Sequence, residues 1–117
     1  MNHKEFAQKV LEVDERVRFV SIYDEGEFFH EIKKGKNSYL TETETEISLS
    51  QAQYRWSSRK KMAPQLGEPI FAMAKYGKVF RFTLPLGVAG LILVSTEPGI
   101  DIENIIEKIC KIRDKYE

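Results

Sequence analysis

Phe6, Val10, Val13 and Val17 recur at helical spacing, with Ala7 and Leu11 widening the stripe, and predict an opening amphipathic helix of about three turns. From Val17 the pattern becomes alternation. Val17, Phe19, Ser21 and Tyr23 fall on one face of a strand and Arg18, Val20 and Ile22 on the other. Asp24, Glu25 and Gly26 carry tight-turn chemistry, because glycine accepts positive φ, and residues 27–33 alternate again through Phe28, His30 and Ile32. These two strands make a hairpin. A polar connection follows and ends in helix-start chemistry, with Thr43 or Thr45 as the cap and Glu46 near the first turn. Residues 47–62 contain no Gly or Pro and predict a second helix, with Leu49, Ala52, Trp56 and Ala63 on one side and Ile47 and Tyr54 nearly opposite.

Pro64, Gly67 and Pro69 punctuate the exit, after which residues 70–75, 79–84 and 88–94 read as a three-stranded meander with turns at 76–77 and 85–87. The last strand is apolar on both faces, which suits a central position, whereas Val79, Arg81 and Thr83 leave the middle one a polar side. Residues 97–100 fit a type II turn, with Pro98 second and Gly99 third. Asp101 then caps a final helix whose stripe runs through Ile102, Ile105, Ile106, Ile109, Ile112 and Tyr116. The expectation is an α+β fold of order α-β-β-α-β-β-β-α. One five-stranded antiparallel sheet carries the terminal helices on one side and the second helix on the other or at its edge. Residues 1–117 form one domain.

That order resembles the roadblock and dynein light chain family, a branch of the profilin-like sandwiches. Residues 18–27 resemble its first strand and acidic-glycine turn, and residues 79–108 its last two strands, turn and final helix. The departures are a long polar connection at 34–46 and a second helix rich in Ser, Gln and basic residues. The resemblance implies a noncatalytic protein-interaction module, a homodimer, with a small GTPase or another protein as partner. It further implies that Ile47, Gln51, Tyr54 and Ser58 form a partner-facing row on the second helix. Residues 70–75, with Ile70, Ala72 and Met73, would be a pairing edge. Physical chemistry supports this independently, since an exposed strand edge is an aggregation hazard unless paired or covered.

Composition narrows the alternatives. Eighteen Lys and Arg balance eighteen Asp and Glu, which argues against a whole-surface binder of nucleic acid or anionic membrane. The longest apolar run, 88–94, is far short of the ~20 residues of a membrane helix, and the charged start has no secretory pattern, so a cytoplasmic protein is expected. Arg55, Arg59, Lys60 and Lys61 surround Trp56 and form the one candidate anion site, for a polyanion or a small ligand. The competing reading is structural. Acids at 42, 44 and 46 and bases at the far end suit the helix dipole, and Trp56 belongs to the apolar stripe.

No cofactor or metal is implied, because His3 and His30 lie at no ligand spacing from Cys110 or from each other, and Cys110 reads as a half-buried thiol. Residues 35–38 lack the upstream glycine of a phosphate loop, and nothing resembles a nucleophile elbow or a carboxylate pair. The 34–46 connection is long enough either to close over a small ligand or to act as a plain connector.

Overall fold

The computed structural model describes residues 2–117. Along the chain lie α1 (His3–Leu11), β1 (Val17–Asp24), β2 (Glu27–Ile32), α2 (Glu42–Lys60), α3 (Ala63–Leu66), β3 (Ala72–Lys75), β4 (Phe80–Leu86), β5 (Gly90–Thr96) and α4 (Ile102–Tyr116). The strands form one antiparallel sheet of order β2-β1-β5-β4-β3. The hairpin supplies one end and the meander the other, and β5 takes the central place that its two apolar faces require. Phe6 and Val10 of α1 and Ile105 and Ile109 of α4 close over Val20, Ile22, Phe82, Leu84, Ile92 and Val94 on one face. On the opposite face Ala52 and Trp56 of α2 pack against Leu91 and Ala72. The second helix therefore covers the far face rather than only its edge.

Turn chemistry holds at the expected places. Glu25 and Gly26 both have positive φ, 51° and 82°, as a two-residue hairpin loop between Asp24 and Glu27 requires. Gly99 has φ of 80°, the type II value, and the Asp101 side chain accepts from the Asn104 amide to cap α4.

Several boundaries differ from the pattern. α1 stops at Leu11, short of three full turns, and Val13 lies in the turn beyond it. There the Asp14 carboxylate accepts from both the side chain and the amide of Arg16, which hold its pKa down to about 2 and turn the chain into β1. A bulge at Arg18 shifts the β1–β5 register between Val17 and Phe19. Val17 consequently joins Val20 and Ile22 in the core instead of sharing a face with Phe19. α2 begins at Glu42, so its cap is Thr41 and not Thr43 or Thr45, with Thr41 and Glu44 forming a reciprocal capping box. Thr45 is buried inside the helix and donates its hydroxyl to the Thr41 carbonyl.

The additional short helix α3 takes up Ala63, which leaves the Trp56 stripe and is half-buried, and it makes the order α-β-β-α-α-β-β-β-α. β3 starts at Ala72 rather than Ile70, because the next bonded pair of that ladder would oppose Ile70 to Pro85, which has no N–H to donate. The β4–β5 turn lies at 87–89, two residues beyond the expected turn, and leaves Val88, expected in a strand, 90% exposed at the tip.

Gly90 has a positional reason that the pattern does not announce. A Cβ there would lie 2.6 Å from the Leu86 carbonyl oxygen and 2.8 Å from that of Tyr23, both backbone atoms. Gly90→Ala is expected to destabilise the fold by about 1–3 kcal/mol, the usual range for overpacking. A chemical denaturation midpoint unchanged from the parent would contradict this.

Candidate functional site

β3 ends the sheet, and the hydrogen-bond phase of its hairpin decides which of its groups are free. The Tyr76 amide donates to the Val79 carbonyl at 2.9 Å, so in the alternating ladder Ala74–Arg81 and Ala72–Thr83 are the bonded pairs. Met73 and Lys75 therefore direct their N–H and C=O groups away from β4. Among the described residues no other segment bonds to this rim. Ala72, Met73 and Ala74 are uncharged, and the Lys75 ammonium lies 5.1 Å from the Phe80 ring centroid. Ile70 and Phe71, just before the strand, are exposed.

On α2 the buried residues Thr45, Leu49, Ala52 and Trp56 occupy one side. Ile47, Gln51, Tyr54 and Ser58 lie opposite and are all exposed, Tyr54 by 80%. The helix pattern thus places these four together as a solvent-facing row, and the packing of Trp56 and Ala52 on Ala72 sets α2 beside β3. The named rim residues divide differently: Ile70 is outside the strand, Ala72 is half-buried under Trp56, and Met73 packs its side chain into the main core. Only the Met73 backbone faces outward.

The four bases do not make one patch. Arg55 and Arg59 share a flank, while Lys60 lies on the other and donates to the Val88 carbonyl at 2.9 Å. Lys61 is the C-cap residue. Glu42 and Glu44 occupy the first turn and Arg59 and Lys60 the last, as the helix dipole favours, and Trp56 is buried. Among the described residues no group of three or more His, Cys, Asp or Glu is placed to hold a metal ion. Cys110 is half-buried, and that burial pushes its thiol pKa up, away from a reactive thiolate.

His30 has a role that its strand position alone concealed. Its Nδ1 lies 2.7 Å from Ser21 Oγ, its ring stacks on Phe19, and its buried Nε2 meets no protein partner. Burial lowers its pKa from 6.5, against the opposing pull of Glu46 and Glu42. The unfolded chain therefore takes up this proton before the native one does, so the His30 contribution is intact above pH 6.5 and declines as pH falls below it. Urea midpoints measured at about pH 7.5 and about pH 5.5 should drop on acidification, with a smaller drop in His30→Gln. Equal slopes for parent and variant would refute the assignment.

No protein-family model matches the sequence, and no curated protein matches it. Solved structures do. A roadblock/LC7 domain from Streptomyces avermitilis superposes with a TM-score of 0.73 at 8% identity, over 95% of this chain and 91% of that one. The gliding protein MglB from Thermus thermophilus gives 0.64 at 13% identity, over 96% and 88%. MglC from Myxococcus xanthus gives 0.59 at 10% identity, over 98% and 99%. The chain has the fold of a roadblock/LC7 domain, in agreement with the resemblance of its element order.

Proposed function

We propose that residues 1–117 act as one roadblock-like domain, a noncatalytic protein-interaction module that works as a homodimer and engages a small GTPase in the cytoplasm. The observation that carries the dimer is the unpaired rim of β3, with the outward amides of Met73 and Lys75, beside the exposed row of Ile47, Gln51, Tyr54 and Ser58 on α2. A second copy related by a two-fold axis offers the same rim and row, so strand pairs with strand and helix with helix, which satisfies the open backbone groups of both. One similar structure is an MglB with a tetrameric arrangement, which supports a reading in which this fold associates. No helix among the described residues is long and apolar enough to cross a membrane.

The polyanion reading finds less support, because the four bases of α2 lie around the helix and one is engaged by Val88. Sedimentation velocity over a range of protein concentrations tests the dimer; a lone monomer at high micromolar concentration would end it. Calorimetric titration with a small GTPase, loaded with GTP or GDP, tests the partner. Binding that depends on the nucleotide supports it, and heat-silent titrations in both states would remove the GTPase from the account.

A further inference from the structure

A cavity of about 370 Å³ lies on the α2 face of the sheet, beyond the start of α2 and beneath the chain at 37–40. Its volume falls within the ~300–1,000 Å³ of small-molecule sites. Strand register explains why it exists. Ile32, Phe19, Ser95 and Arg81 form one row across β2, β1, β5 and β4, and the small Ser95 between Phe19 and Arg81 leaves space that the neighbouring Leu93 and Leu91 fill elsewhere on β5. Trp56 covers the Leu91 end of this face, and the 37–40 segment roofs the Ser95 end.

The charges around this space are one-sided. Arg18, Lys78 and Arg81 line it, and no carboxylate does, in a chain with eighteen acids. Arg18 is already occupied, since it donates to Glu97 at 2.6 Å and to the Asn37 carbonyl at 2.9 Å and lies over the Tyr39 ring. Those bonds hold the roof in place. Arg81 is different. No carboxylate of the described residues lies within ion-pair distance of it, it is half-buried, and desolvation lowers its pKa, with Tyr76 favouring the charge and Arg55 opposing it. A desolvated guanidinium without a counter-charge costs stability that an apolar side chain would not. The lining is otherwise mostly apolar, with Phe19, Leu40 and Val79 among the walls.

We propose that this cavity binds a small organic carboxylate with an apolar body, the carboxylate pairing with Arg81 and the body lying between Phe19, Leu40 and Val79. The planar guanidinium of Arg81 suits a carboxylate in bidentate geometry. Lys78, the other lining cation without a carboxylate partner, is exposed and lies 5.5 Å from the Tyr39 ring centroid, toward the mouth rather than the half-buried Arg81. None of the four α2 bases lines the site, although Arg55 is near enough to oppose the Arg81 charge, and the site does not depend on the dimer proposal, whose rim and row contribute none of these residues.

Phenylacetate, phenylacetamide and phenyl phosphate, titrated into the full isotope-labelled chain and followed by amide chemical shifts, provide the test. Phenylacetate is expected to saturate, with shifts at Phe19, Tyr39, Val79 and Ser95, and to bind at least about tenfold more tightly than the neutral amide. Arg81→Gln should lose at least about tenfold in phenylacetate affinity while melting at a higher temperature without ligand, because an unpaired charge has been removed. Val79→Phe, which fills the space and keeps the arginine, should also abolish binding. The proposal is overturned by absent shifts, by equal binding of acid and amide, by tighter binding of phenyl phosphate, or by an Arg81→Gln chain that binds unchanged. Sedimentation run in parallel keeps loss of the ligand site distinct from loss of the dimer.

Discussion

Tyr54→Ala should turn the proposed dimer into monomers while leaving the circular dichroism spectrum and the melting temperature of the single chain unchanged. Tyr54 is 80% exposed and lies opposite the buried side of α2, so truncation opens no cavity in the protomer. A tyrosine at the centre of an interface contributes about 2 kcal/mol or more, and a two-fold interface carries it twice, so roughly 4 kcal/mol and a thousandfold weaker association are expected. Lys75→Pro probes the rim independently. The Lys75 amide faces away from β4, so proline there removes a donor from the proposed intermolecular ladder without breaking the intramolecular one. Sedimentation of both variants decides the matter: if each retains the parent distribution, neither α2 nor β3 joins the copies.

Trp56→Ala carries the largest expected loss of stability, about 3–5 kcal/mol from the transfer and cavity contributions of a buried aromatic. A domain of this size has only about 5–15 kcal/mol in total. Trp56 packs with Ala52 on Leu91 and Ala72, which makes it the main anchor of α2 to the sheet, and Trp56→Phe should keep much of that contact. The paired change Arg55→Glu with Arg59→Glu touches exposed side chains and should shift stability by no more than about 0.5 kcal/mol. Urea unfolding of the three variants separates the readings of this helix. If Trp56→Ala were as stable as the parent, the tryptophan would be a surface platform and the bases its companions.

The linked behaviour of α2 illustrates how far local chemistry reaches. The expected caps, Thr43 and Thr45, both lie inside the helix, because the reciprocal Thr41–Glu44 capping box starts it earlier and Thr45 is buried within it. The bases at 55, 59, 60 and 61 are close along the chain, yet 100° of rotation per residue scatters them around the helix axis. Cys110 and Trp56, by contrast, were legible, because each lies on or beside an apolar stripe whose period already assigns its side.

The arginines of the cavity were the least legible residues. Arg81 reads as one polar position on a strand face, and Arg18 as a charged residue alternating with valine and isoleucine. Only two signals were present: single cations inside otherwise apolar strands, and a serine within the apolar β5. Neither reveals that Phe19, Ser95 and Arg81 stand side by side, since their positions in the chain are far apart and the pairing register joins them.

Sequence by itself determined the three longer helices, the hairpin, the meander, the glycine turns at 24–26 and 97–100 and the central place of β5, because periodicity and positive φ act within a few residues. Tertiary structure alone decided the Arg18 bulge that turns Val17 inward, the end of β3 opposite Pro85, the close approach at Gly90 and the unneutralised charge of Arg81. Each of these depends on which residue a neighbouring strand sets across from it, and that register is fixed by the packing of the whole sheet between its helices.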